Sequence, residues 1–141
     1  MKIFFLSAFC LLMLICSIYD IKKRIIPNTL IIIIFSLGLI NSVLFSSLKS
    51  AMLGVIIPSL PLLILKSKMK HIGAGDIKLI SAIGTWSGWL LNISIFAIAS
   101  ICALIYALSY YFSSKKQLKS VPFAPFLLFG CLSIFLASLL I

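Results

Sequence analysis

Ile77 to Phe112 reads IKLISAIGTWSGWLLNISIFAIASICALIYALSYYF, about 36 residues, and how this stretch divides decides the fold. A bilayer core about 30 Å thick is crossed by roughly 20 helical residues, so one crossing cannot use it all. The patch Gly84-Thr85-Trp86-Ser87-Gly88 interrupts the apolar run. It offers two glycines, two hydroxyls and a tryptophan suited to a membrane interface. A turn here predicts two spans, Ile77–Trp89 and Leu90–Phe112. Working outward, four more apolar runs follow: Ile3–Tyr19, Thr29–Leu48, Ala51–Leu65 and Phe123–Ile141. The Ala51–Leu65 run is short and carries Pro58 and Pro61, so a kink or break is expected there.

Composition agrees with that division. Of 141 residues 63% are hydrophobic and 10% charged, with a mean hydropathy of +1.31. That leaves too little polar surface to coat a soluble globule. A signal peptide would account for the first run alone, and Phe9 and Ile15 are too bulky to precede a lipidated Cys10 or Cys16, so no cleaved leader is expected. The formal charge of +10 does not point to nucleic acid, because the basic residues fall in short clusters between apolar runs with no RNA-binding module around them. Cys10, Cys16, Cys102 and Cys131 lie inside apolar runs without CxxC spacing or a nearby His. No disulfide, metal or organic cofactor is expected.

Charge then orients the predicted bundle, since short cytoplasmic loops are rich in Lys and Arg. Six crossings with the N-terminus outside put Lys22, Lys23, Arg24, Lys66, Lys68, Lys70, Lys78, Lys115, Lys116 and Lys119 inside, leaving Lys2 and Lys49 outside. Merging the fourth and fifth spans would move the 115–119 cluster outside, which favours the turn. The expectation is an all-α integral membrane protein, a single domain over residues 1–141, built as a six-helix bundle with short loops.

Against twelve Lys and Arg the chain has two carboxylate side chains, Asp20 and Asp76, and no Glu. In this topology both face the cytoplasm, at the ends of apolar runs. An acid near hydrocarbon costs about 2.5–3.5 kcal/mol at mid-membrane, so such acids usually mark a function. If two approach closely they share one proton, one serving as base and the other as acid, as in aspartic proteases. Asp76 sits in Gly73-Ala74-Gly75-Asp76-Ile77-Lys78-Leu79. The ordinary reading is an N-cap for a helix starting at Ile77. Gly73 and Gly75 would allow backbone angles and close approaches that a Cβ forbids, and could leave an edge for an extended substrate.

Gly73–Leu79 resembles the GxGD motif of intramembrane aspartyl proteases. Asp20 with Arg24 and Ile26-Pro27-Asn28 resembles the first-aspartate motif of the type IV prepilin peptidase family, and Val121-Pro122-Phe123-Ala124-Pro125-Phe126 is similar to the start of that family's last helix. The resemblance implies Asp20 and Asp76 as the catalytic pair. It implies cleavage of the basic leader of prepilins or pilin-like proteins at the cytoplasmic face of a bacterial inner membrane, typically after glycine. Bifunctional members carry a cytoplasmic insert with paired CxxC motifs and N-methylate the new terminus. This chain lacks that insert and resembles the short, peptidase-only members serving Flp or Tad pili. Presenilins and signal peptide peptidases share the Tyr-Asp and GxGD features but have a PAL motif where this chain has Pro-Phe-Ala-Pro. A homodimer stays open.

Other residues carry two readings each. Pro27 starts the second helix, and Asn28 bonds loop backbone or positions Asp20. Arg24 pairs with Asp20 or with lipid phosphate. Lys78 anchors the inner boundary, or else tunes the site or contacts substrate. His71, among lysines, belongs to a solvated basic loop. Pro122 and Pro125 shape the start of the last helix. Ser36, Gly38, Gly54, Ser94 and Ser133 are read as helix-packing residues. The different-class alternative is a small non-catalytic membrane subunit, a transporter or assembly component whose two acids bind an ion or pair with bases.

Overall fold

The computed structural model describes residues 2–68, 73–114 and 121–140. These form five helices: α1 Lys2–Lys23, α2 Asn28–Phe45, α3 Leu48–Lys68, α4 Ala74–Ser114 and α5 Ala124–Leu140. Helices α1 to α4 are long and apolar enough to cross a membrane, and α5 is a shorter apolar helix. Their outward faces are greasy, with side chains such as Ile32 and Leu63 each 63% exposed. Such a surface suits lipid rather than water, and the chain is an all-α membrane protein.

The expected six separate helices are corrected to five, because no loop divides the fourth span from the fifth. Gly88, at φ 72 and ψ −179, is the non-helical residue inside α4. Its effect is large. The Asn92 side-chain amide donates to the Ile80 carbonyl at 3.0 Å, whereas residues 80 and 92 of a straight helix would lie about 18 Å apart. The chain therefore reverses at Gly88, laying limb 89–114 back along limb 74–87. A positive φ is available to glycine without a Cβ penalty, so one residue makes the turn. Gly84 and Thr85, expected in that turn, are instead buried in the first limb.

The expected break at Pro58 and Pro61 is not found either, since α3 stays helical through both. Pro58 has no N–H to offer the Gly54 carbonyl one turn earlier. The Asn92 amide supplies that bond from α4 at 2.9 Å. Around this contact Gly54 and Gly84 pack backbone against backbone with no room for a Cβ on either. Gly38 similarly receives Thr85 and Trp86, and the Trp86 indole N–H donates to the Ile34 carbonyl at 2.8 Å. Close approach at small residues is how membrane helices associate, because lipid tails give little hydrophobic drive between them. Ser36 and Ser94 are exposed rather than packed, and the Ser133 hydroxyl bonds back to the Phe129 carbonyl of its own helix.

The bundle has two distinct ends. At one, Phe5, Phe9, Phe45, Trp86 and Phe135 form a connected set of ring contacts. At the other, the C-terminal turn of α1 meets the N-terminus of α5. Hydropathy ends the first span at Tyr19, but the helix runs one turn further, to Lys23. Lys23 reaches back over its own helix, with Nζ 5.7 Å from the Tyr19 ring centroid.

Candidate functional site

Asp20 lies within the last turn of α1, not after it, and is 6% exposed. A negative charge at a helix C-terminus is unfavourable, and burial adds to the cost. The compensation comes from α5. The backbone N–H of Ala124, the first residue of that helix, donates to Asp20 Oδ2 at 2.9 Å. The first amides of a helix lack intrahelical partners and carry the positive end of its dipole. Pro125 has no N–H, while Phe126 and Leu127 donate to the Phe123 carbonyl. Ala124 is thus the amide that the Val121–Phe126 stretch turns toward Asp20.

Asp76 does not cap a helix starting at Ile77. The helix begins at Ala74, with the Gly73 carbonyl accepting from the Ile77 N–H at 3.5 Å, and Asp76 occupies its first turn. Its carboxylate folds back over Gly73, where a Cβ would stand 2.5 Å from Asp76 Oδ2. The missing Cβ of Gly73 thus leaves the space that this placement of the Asp76 carboxylate occupies. At Gly75 a Cβ would instead meet Ile26 at 3.4 Å, an ordinary contact. Neither glycine has positive φ, so the expected use of unusual backbone angles is corrected. The chain is helical from Ala74, so an extended edge for substrate does not form at Gly75.

Asp76 lines a cavity of about 250 Å³ walled by Leu62, Ile77, Ile80, Phe96, Ser100, Val121 and Phe123. It is the charged group in an otherwise mostly apolar wall. Phe123, one wall residue, immediately precedes the amide that holds Asp20. The two carboxylates thus share the 121–124 stretch as a neighbour.

The remaining expected residues frame this site. The Arg24 N–H donates to the Asp20 carbonyl at 2.9 Å, and Arg24 adopts φ 54, the left-handed conformation that ends many helices. Pro27 is the N-cap of α2, at φ −61 and ψ 128. Asn28 neither bonds loop backbone nor touches Asp20 in the described contacts. Its Oδ1 accepts from Lys78 Nζ at 3.0 Å, tying the start of α2 to the turn that carries Asp76. His71, Lys70, Lys115, Lys116 and Lys119 lie outside the described residues. Among the described residues no group of three or more His, Cys, Asp or Glu could hold a metal ion.

Sequence reasoning missed the Ala124 amide, which no side chain advertises. It also missed the cavity walls Leu62, Ile80, Phe96 and Ser100, and the Asn92 cross-link. An amide within the apolar run 89–112 was the available signal for the last.

Fold and site together define an all-α membrane protein with one acid bonded to the first amide of its last helix and the other lining a cavity that Val121 and Phe123 also wall. Residues 7–108 match the model of the Type IV leader peptidase family, and the chain belongs to that family. It is 28% identical over 127 residues to a prepilin leader peptidase/N-methyltransferase of Pectobacterium carotovorum subsp. carotovorum, covering 84% of this chain and 46% of that protein. It is 29% identical over 120 residues to one of Stutzerimonas stutzeri, covering 79% and 42%. It is 32% identical over 117 residues to one of Dichelobacter nodosus, covering 77% and 40%. The chain spans less than half the length of these relatives. No solved structure matches it.

Proposed function

We propose that this chain is a membrane aspartyl endopeptidase that removes the basic leader from prepilins or pilin-like proteins. The observation that carries the reading is the convergence of its only two acids on one stretch, residues 121–124, with Asp20 buried against the Ala124 amide and Asp76 lining the adjoining cavity. Family membership supports it, as do relatives named for leader peptidase activity. The pair acts on water held between the carboxylates. The ionised member takes a proton as the water oxygen attacks the scissile carbonyl carbon, and the protonated member donates to the carbonyl oxygen, giving a gem-diol. As the C–N bond breaks, the first carboxyl passes its proton to the departing amide nitrogen and one gem-diol hydroxyl returns its proton to the second carboxylate, which restores the pair. Holding Asp20 by backbone rather than by a flexible side chain suits a group that must not wander.

In this reading the antiparallel limbs of α4 serve as two of six crossings. The N-terminus is outside and the site faces the cytoplasm of a bacterial inner membrane, with lipid around the bundle. Gly73 and Gly75, Arg24, Pro27, Asn28 and Lys78 support the pair. No cofactor takes part. The relatives' names include N-methyltransferase; peptidase activity without methylation is proposed here, because the chain carries no paired CxxC motifs. Flp-type pilins are the proposed substrates, and a homodimer is compatible.

The test is co-expression with tagged pilin-like proteins, comparing wild type with Asp20→Asn and Asp76→Asn at equal membrane abundance. Size shift and the mass of the new N-terminus are the readouts. The reading expects leader loss after glycine, an unmethylated terminus, and no cleavage by either variant. Cleavage surviving both substitutions refutes the aspartyl mechanism. Intact substrates throughout, with ion-dependent transport instead, would favour the non-catalytic subunit.

A further inference from the structure

Asn92 is 0% exposed and belongs to neither motif. Its amide donates one N–H to the Gly54 carbonyl at 2.9 Å and one to the Ile80 carbonyl at 3.0 Å, while its Oδ1 is buried with no hydrogen-bond partner. For stability alone this is a poor arrangement. An Ala at 58 would satisfy Gly54 within its own helix, and an apolar residue at 92 would leave no orphaned oxygen. The pairing of Pro58 with Asn92 instead ties α3 to both limbs of α4 through one side chain.

That tie lies at the base of the site. Ile80 follows Asp76 by one helical turn, and both line the cavity. Phe96 and Ser100 follow Asn92 by one and two turns on the same helical face and line it too. The Phe96 ring packs edge-on against Phe123 at 6.1 Å between centroids, and the next residue's amide holds Asp20. One route thus runs from Asn92 through Ile80 to Asp76, and another through Phe96 and Phe123 to Asp20.

We infer that Asn92 is a positioning residue that sets the placement of Asp76 relative to Asp20, by locking the two limbs of α4 to each other and to the carbonyl freed by Pro58. The inference rests on the proposed peptidase reading, so wild type and Asp76→Asn are assayed alongside. If wild type is inactive, or Asp76→Asn is active, the peptidase reading fails, whatever Asn92 does.

The experiment measures kcat, KM, the pH profile of cleavage and Tm for Asn92→Leu, for Pro58→Ala, and for the two combined, in reconstituted membranes with a pilin-like substrate. Asn92→Leu is expected to lower kcat about 10- to 100-fold, the scale of a small misplacement of reacting groups. KM should change little and the pH profile should move, because the spacing of the pair governs its shared titration. Pro58→Ala added to Asn92→Leu gives Gly54 its own helical partner. It should recover Tm without recovering kcat or the pH profile, since the Ile80 link stays broken. Recovery of kcat together with Tm would overturn the inference, leaving Asn92 a mere satisfier of Gly54. Wild-type kcat and pH profile in Asn92→Leu would overturn it directly. Should that variant fail to fold, Asn92→Asp keeps the volume but has no N–H, retaining a single O–H donor while protonated and none once ionised. Its activity relative to wild type should fall as pH rises, and a constant ratio would refute the inference.

Discussion

The two ends of the bundle each hold a cavity of about 250 Å³, and of these two only one is lined by a carboxyl group. The first is walled by Leu62, Ile77, Ile80, Phe96, Ser100, Val121 and Phe123 with Asp76 among them. The second, between Leu6, Asn41, Phe45, Ser46, Trp86 and Phe135, offers an amide and a hydroxyl but no titratable side chain. Equal volume with unequal chemistry shows that space alone does not make a site here. What separates the ends is a pair of acids, a helix N-terminus turned toward one of them, and a glycine that lets the other fold back. The second end looks built for cohesion, through ring contacts and the Trp86 bond to Ile34.

The comparison is most readily broken by exchanging chemistry at each end. Asp20→Asn and Asp76→Asn should each abolish detectable cleavage, a loss in kcat/KM at or beyond the range of about 10²- to 10⁴-fold for losing a general acid or base. Asn41→Leu in the second cavity should leave cleavage unchanged. Equal losses at both ends would void the distinction.

A finer division falls inside the GxGD-like segment. Gly73→Ala should lower kcat by about a hundredfold, because the added carbon collides with the Asp76 carboxylate and displaces it. Gly75→Ala should keep most activity, since its Cβ meets Ile26 at ordinary distance. Steady-state kinetics on both variants at matched abundance checks this. Similar losses would point to a substrate contact at Gly75.

Smaller effects follow at the periphery. Lys78→Met removes the bond to Asn28, and a solvent-facing tie of this kind is worth about 1 kcal/mol at most, so a several-fold change in kcat/KM is the expected scale. Trp86→Phe keeps a ring at the aromatic end but removes the N–H donor to Ile34. It should cost about 1 kcal/mol of stability, read by thermal unfolding, with kcat unaltered. A kcat effect there would mean that the two ends communicate.

The chain itself makes much of the fold legible. The apolar runs required membrane helices, and the length of Ile77–Phe112 required a reversal within it. The scarcity of acids singled out Asp20 and Asp76. The details that failed did so because tertiary contacts overruled local signals. Gly84 and Gly88 look alike in sequence, but only Gly88 turns, because Gly84 is used for the approach of Gly54. Pro58 signals a broken helix until Asn92, 38 residues away, satisfies the carbonyl it frees. Hydropathy ended the first span before Asp20, whereas backbone bonding continues as far as the basic residues can snorkel. The Ala124 amide was invisible because backbone donors leave no mark in composition.

The central claim is that Asp20 and Asp76 work as one proton-sharing pair. Its most direct test is the pH dependence of kcat/KM for leader cleavage by wild type, with Asp20→Asn and Asp76→Asn as controls. At low pH both carboxyls are protonated and no base remains; at high pH both are ionised and no acid remains. The account therefore predicts a bell with two limbs belonging to the pair, and loss of activity across the range in either variant. A single-limbed profile, or a variant that still cleaves, would contradict it.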